Sequence, residues 1–252
     1  MSRVTSTPRA KSEGGILPLS WPGSKLRGRN RIAESFYNGP GWARFRRWER
    51  LFLKIQGGEA RARRQILRHL PTQPMATVLE VGIGDGANLK LLPKDWTTYG
   101  VDIAVRPLGE CLNLHPLMNG RVLRSEGESL PFADAAFDAC YSIGGFNYFC
   151  DHASTLREMR RVTRVGGRLI VADEDSRLHR WGIGHLIGLK SIDAFWLGAL
   201  GLDREFVQMV FDQPFDPGPV VSQHWPGSVR HSIWGGLGYC YVASHESEPS
   251  TS

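Results

Sequence analysis

The stretch Val78-Leu79-Glu80-Val81-Gly82-Ile83-Gly84-Asp85-Gly86-Ala87-Asn88 constrains this chain more than any other. An apolar run ends in three alternate glycines, and a helix-compatible stretch follows. Strand, glycine turn and helix in that order bring the backbone to the edge of a parallel sheet, where glycine allows torsions and close approaches that a Cβ would block. Main-chain N–H groups at such a turn face a nucleotide-like ligand.

The glycines alone leave two readings open. Gly82, Gly84 and Ala87 satisfy the dinucleotide fingerprint G-x-G-x-x-G/A, while Gly82, Gly84 and Gly86 give G-x-G-x-G. Both need a Rossmann-like sheet. The surrounding acids discriminate: Glu80 lies two residues before the first glycine, where a cationic ligand group would prefer a carboxylate to an amide-rich phosphate cradle. Asp102 ends the next expected strand, and its carboxylate suits ribose hydroxyls. After the third strand comes Ser125-Glu126-Gly127-Glu128-Ser129-Leu130-Pro131-Phe132.

These motifs, in this order over about residues 60–175, resemble the class I S-adenosylmethionine-dependent methyltransferases of the small-molecule branch, including the ubiquinone and menaquinone types. The resemblance implies a doubly wound, Rossmann-like α/β sheet of seven strands with the last antiparallel. It implies S-adenosylmethionine as cofactor, with Glu80, Gly82, Gly84 and Gly86 at its methionine end and Asp102 and Ile103 at the ribose. Glu126, Gly127 and Glu128 are then placed at the adenine, and Ser142 at the tip of the fourth strand. Glu126 stands where the family often has Asp, and Arg164-Val165-Gly166-Gly167 replaces the usual Lys-Pro-Gly-Gly. The run Gly86-Ala87-Asn88-Leu89-Lys90 is also similar to the membrane-associated thiol methyltransferases.

Spacing and breakers predict the order of elements. Residues 1–34, rich in Ser, Pro, Gly and Arg, read as a disordered basic arm. A single domain over 35–244 follows. Within it, 35–70 forms a helical cap with aromatic spacing at Trp42, Phe45, Trp48, Phe52 and Ile55, and 76–175 is the cofactor-binding core. Residues 176–237 supply acceptor-side helix and loops. Strands are expected at Thr77–Val81, Thr98–Ile103, Val122–Arg124, Ala139–Ile143, Arg168–Ala172, Phe206–Phe211 and Gly238–Ser244. Helices are expected at Ala87–Leu92, Pro107–Leu114 and Ser154–Val165, the last stopped by Gly166-Gly167. Asp212–Gly236 reads as loop, Trp181–Leu202 as an apolar buried helix, and 245–252 as a disordered tail.

Charge is unevenly distributed. Residues 1–70 hold sixteen Lys/Arg against four Asp/Glu, whereas the remainder carries fifteen against twenty-one. No RNA-binding motif accompanies the basic segment, and its aromatics have helical spacing, so a nucleic-acid partner is not indicated. The basic amphipathic stretch is compatible with peripheral membrane contact. Cysteines 111, 140, 150 and 240 are scattered and form no C-x-x-C, which gives neither a disulfide framework nor a metal site. With no apolar signal core and no run long enough to span a bilayer, a cytoplasmic location is expected.

Methyl transfer is an in-line displacement that gains rate from alignment and exclusion of water, and a dedicated base is needed only for acceptors such as a phenol. His152, beside Asp151 after the fourth strand, and Tyr148 are the candidate bases. Seven of the eight tryptophans lie outside 77–175, so aromatic material concentrates in the flanks. Trp42, Phe45, Trp48, Trp181, Phe195, Trp196, Trp225 and Trp234 are the pool for an apolar acceptor pocket. The expected function is methylation of a small apolar or aromatic molecule. The alternatives are an NAD-dependent oxidoreductase on the same sheet, or a non-catalytic cofactor- or RNA-binding protein using the basic arm.

Overall fold

Strand β1 (Thr77–Val81) is buried from Val78 onward, and alternation divides its side chains between the two faces of a sheet. Leu79 and Val81 pack with Leu156, Met159 and Trp225, while Val78 packs with Ile66, Tyr141 and Ile170 on the other face. Glu80 shares the second face, so a carboxylate is carried into the interior by the same register that builds the core. The computed structural model describes residues 26, 28–40, 42, 46, 51, 54, 57–175, 204–212 and 215–246.

Six further strands complete the sheet: β2 (Thr97–Asp102), β3 (Val122–Arg124), β4 (Phe137–Ile143), β5 (Thr163–Glu174), β6 (Val229–Ile233) and β7 (Gly238–Ser244). Their order is β3-β2-β1-β4-β5-β7-β6. The first five run parallel, and β7 is antiparallel to both of its neighbours. Winding reverses at β1, whose neighbours are β2 and β4, so the crevice for a ligand opens at the glycine turn.

The helices are α1 (Gly28–Asn38), α2 (Glu59–Leu67), α3 (Val105–Leu114), α4 (His152–Val162), α5 (Arg204–Asp212) and α6 (Pro217–His224). In α4 the Asp151 carboxylate caps the helix by accepting from the Ser154 N–H at 3.0 Å, and Leu156, Met159 and Val162 face the core. This helix ends three residues before Val165. Thr163 already pairs with Phe137 in the sheet, and Arg164 reaches Asp138 at 2.6 Å. Gly166-Gly167 therefore lies inside β5 and stops no helix. A Cβ on Gly167 would approach Thr163 Cγ2 to 2.5 Å and the Asp138 carbonyl oxygen to 2.8 Å, which explains the bare backbone.

Five other expectations differ from the structure. Residues 28–34, read as part of a mobile arm, are helical in α1, with Asn30, Ala33 and Phe36 buried. Residues 206–211 form helix α5: Phe206 stacks on Phe36 with ring centroids 3.9 Å apart, a partner that local apolarity did not reveal. The stretch read as loop over 212–236 holds α6, capped by Asp216, and the polar edge strand β6. Only a short 3₁₀ turn, Leu89–Leu91, stands where a helix over 87–92 was expected. His245 continues the pairing of β7 with β5, its N–H donating to Gly167 O at 2.9 Å, so the tail begins later than expected. The readings of Phe45, Trp48, Phe52, Ile55, Trp181, Phe195 and Trp196, and of the helix over 181–202, fall outside the described residues.

Candidate active site

The glycines after β1 serve different physical purposes. All three have positive φ: +80° at Gly82, +55° at Gly84 and +76° at Gly86. An added Cβ at Gly86 would meet Leu89, Cys111 and His115 within 3.0 Å, so this glycine permits packing. At Gly84 an added Cβ would meet nothing within 4 Å, because the residue borders open space. That space is a cavity of about 590 Å³ at the carboxyl ends of the strands.

Glu80 lines the cavity although it is only 1% exposed. Its carboxylate accepts from Asn88 Nδ2 at 2.5 Å and from the Tyr141 hydroxyl at 3.0 Å, and burial pushes it up to about 7. A chain of polar contacts continues from Asn88, whose Oδ1 accepts from Arg63 Nη1 at 3.1 Å. Arg63 pairs with Glu59 at 2.9 Å, and Arg46 pairs with Asp85 at 2.8 Å and Glu59 at 3.6 Å. None of these partners was legible in the sequence, since they come from separate segments.

Asp102 closes the next corner. Its Oδ2 accepts from the Gly84 N–H and its Oδ1 from the Ala104 N–H, both at 2.9 Å. Desolvation raises its pKa, and the two amide bonds oppose that rise. Ile103, Ser125 and Gly127 also line the cavity. Glu126 and Glu128 are not among its lining residues. Both accept from Asn30 Nδ2 of α1, at 3.0 and 3.1 Å, and Glu128 also receives the Cys150 and Asp151 N–H groups. Ser142 stands behind the turn: among the described residues its buried Oγ has no hydrogen-bond partner, and it would lie 3.9 Å from a Cβ on Gly82.

Aromatic side chains contribute to the same lining: Tyr37, Trp42, Tyr148, Phe149 and Trp234, together with Ile143 and Leu237. Trp225, counted earlier among pocket candidates, is a core residue whose Nε1 donates to Leu156 O at 3.1 Å. Tyr148 donates its hydroxyl to Glu174, and burial holds the phenol well above its ordinary pKa. His152 is not among the lining residues. Its ring stacks on Phe215 with centroids 3.8 Å apart, and burial pushes the imidazole down to about 4.

Sheet order, glycine turn and the strand-tip acids Glu80 and Asp102 define the class I methyltransferase fold. Residues 79–171 match the methyltransferase domain family. Over 107 residues the chain is 31% identical to the 2-methyl-6-phytyl-1,4-hydroquinone methyltransferase of Synechocystis sp., covering 41% of this chain and 34% of that protein. Over 114 residues it is 34% identical to the demethylmenaquinone methyltransferase of Corynebacterium kroppenstedtii, covering 44% and 47%. The chain thus spans less than half the length of either curated relative. Among solved structures, a protein of Methanococcus maripaludis assigned to the S-adenosylmethionine-dependent methyltransferases aligns with TM-score 0.54 at 18% identity, over 91% of this chain and 100% of that one. An S-adenosylmethionine-dependent methyltransferase of Thermotoga maritima aligns with TM-score 0.51 at 16% identity, over 87% and 100%. At those identities the structural likeness concerns the fold.

Residues 79–171 are thus a methyltransferase domain, set in a sheet of class I order. Nothing in these similarities supports the oxidoreductase alternative. Among the described residues, no helix is long and apolar enough to cross a membrane.

Proposed function

We propose that the protein methylates a small, apolar or aromatic acceptor bound beside S-adenosylmethionine in the cavity under the glycine turn. One observation carries this reading: Gly84, Glu80 and Asp102, from two strand tips, border a single cavity that five aromatic side chains also line. The donor set suits the cofactor. A buried carboxylate at Glu80 can meet its ammonium, the bare backbone of Gly84 admits close approach, and the remaining lone pairs of Asp102 can accept ribose hydroxyls. Ile103 and Gly127 would flank the nucleoside. Gly82 lines the cavity beside Gly84. Gly86, Glu126, Glu128 and Ser142 would act from behind, by shaping the turn and by fixing α1 over the site.

When bound, the cofactor supplies an electrophilic methyl group on a sulfonium. The protein's task is to hold the acceptor in line with it and to exclude water, for which the aromatic walls at Tyr37, Trp42 and Trp234 are suited. The relatives named for hydroquinone and demethylmenaquinone favour an acceptor of aromatic type. Peripheral contact with an anionic membrane belongs to this reading, supported by the positive charge of residues 1–70.

Calorimetric titration with S-adenosylhomocysteine and with NADH tests the assignment. Micromolar binding of the first and none of the second is expected, and preference for NADH would reject it.

A further inference from the structure

The cavity's carboxylates differ in how their charge is met. Asp85 pairs with Arg46 at 2.8 Å, and Asp175 pairs with Arg230 at 3.4 Å. Glu80 and Asp102 are taken by the cofactor in the reading above. Glu174, at the carboxyl end of β5, lines the same cavity, and among the described residues no Lys or Arg forms an ion pair with it.

Its surroundings hold it by neutral donors instead. The Tyr148 hydroxyl donates to Oε1, and Asn147 Nδ2 donates to the Glu174 main-chain oxygen at 2.8 Å. Asn147 is itself fixed twice: its N–H donates to Asp173 Oδ2 at 2.9 Å, and its Oδ1 accepts from the Tyr239 hydroxyl at 2.7 Å. Asp173 is fully buried, and burial with the adjacent Glu174 pushes its pKa well up. Glu174 is half-buried and orientated by Tyr148 and Asn147. A carboxylate so placed, on a cavity that Ile143, Phe149, Trp234 and Leu237 also line, needs a polar partner from the ligand.

We propose that Glu174 accepts the hydrogen bond, and then the proton, of a hydroxyl on an aromatic methyl acceptor. This inference rests on the methyl-transfer reading above. As the acceptor's oxygen forms its bond to the methyl carbon, the carbon–sulfur bond breaks and its electron pair stays on sulfur. The hydroxyl becomes strongly acidic while that bond forms, so its proton passes to the Glu174 carboxylate and afterwards to water. Tyr148 orients the carboxylate and remains protonated. This division of roles replaces both His152 and Tyr148 as the base.

The test uses the full-length protein loaded with S-adenosylhomocysteine, with 2-naphthol, 2-methoxynaphthalene and 2-(aminomethyl)naphthalene as probes read by tryptophan fluorescence. The wild type is expected to bind the naphthol about tenfold more tightly than its methyl ether, the worth of one charged hydrogen bond. Glu174→Gln should erase most of that preference, and Tyr148→Phe should reduce it about threefold while keeping the charge. With S-adenosylmethionine, the wild type should convert the naphthol to its methyl ether, and Glu174→Gln should slow this by about a hundredfold. No binding of the naphthol, no methyl ether from the wild type, an unchanged preference in Glu174→Gln, or tighter binding of the amine would overturn the proposal. Should Glu174→Gln fail to fold, an unchanged preference in Tyr148→Phe would overturn it. Failure to bind S-adenosylhomocysteine strikes the methyl-transfer reading instead, so the two ideas fail separately.

Discussion

The Gly84 N–H donates to Asp102 Oδ2 at 2.9 Å, tying the glycine turn of the first strand to the tip of the second. One carboxylate therefore shapes the turn and remains available to a ligand. Asp102→Ala should lower affinity for S-adenosylhomocysteine by about 2–3 kcal/mol, the scale of a charged hydrogen bond, while the fold persists. Calorimetry beside a thermal melt checks both halves, and an unchanged Kd would show that the ribose lies elsewhere.

Glu80 ties stability to pH. Its carboxyl titrates near 7 in the folded chain against 4.5 in the reference state, so the native protein holds the proton more tightly between those values. Stability contributed by the protonated form is complete below pH 4.5 and is lost as pH rises to 7. The loss is about 3 kcal/mol at most. Urea denaturation at pH 5 and pH 8 should show this fall in the wild type relative to Glu80→Gln, and equal slopes for the two would refute it. Binding a cationic amine near Glu80 should also release a proton near pH 7, visible as a buffer-dependent enthalpy.

Gly84 and Gly86 are expected to fail differently. Gly86→Ala drives a methyl group into Leu89, Cys111 and His115 and should cost about 2–3 kcal/mol of stability. Gly84→Ala meets no neighbour and should cost only the strain of its positive φ, about 1 kcal/mol, yet weaken cofactor binding more. The two melting temperatures and the two affinities should rank in opposite orders.

Asn30 bridges α1 to Glu126 and Glu128 and also accepts from the Cys150 N–H at 3.1 Å. Asn30→Ala should cost about 1–2 kcal/mol by removing the amide donor from the half-buried Glu126 carboxylate, whereas Glu128 keeps the Cys150 and Asp151 N–H groups. Hydrogen exchange should quicken in residues 28–38 ahead of the sheet. Uniform exchange across both would argue against α1 as a separately docked cover.

His152 is expected to matter for packing alone. His152→Gln should leave methyl transfer within about twofold, while loss of the stack on Phe215 costs about 1 kcal/mol of stability. A collapse of turnover without loss of stability would restore the histidine to the reaction.

The parallel core was legible because its signals are local. Thr77–Val81, Val122–Arg124 and Gly238–Ser244 stand as strands at the expected residues, and Gly82, Gly84 and Asp102 meet at one cavity. The apolar run from Phe206 resisted reading because its content suits strand or helix equally, and contact with Phe36 of α1 settled it. Strand β6 was missed since an edge strand with exposed Val229 and Arg230 lacks the alternation that marks a half-buried one. For Glu126 the sequence suggested a ligand contact and gave no sign of Asn30, ninety-six residues away, which donates to its carboxylate.

Backbone geometry and burial period are written in neighbouring residues, so the order of letters alone determined the sheet, the glycine turn and the class of cofactor. What reaches the acceptor was decided in three dimensions. Glu174 acquires its setting from Tyr148, Asn147, Asp173 and Tyr239, which belong to two strands and a turn, and no local pattern records which distant donors will converge on one residue.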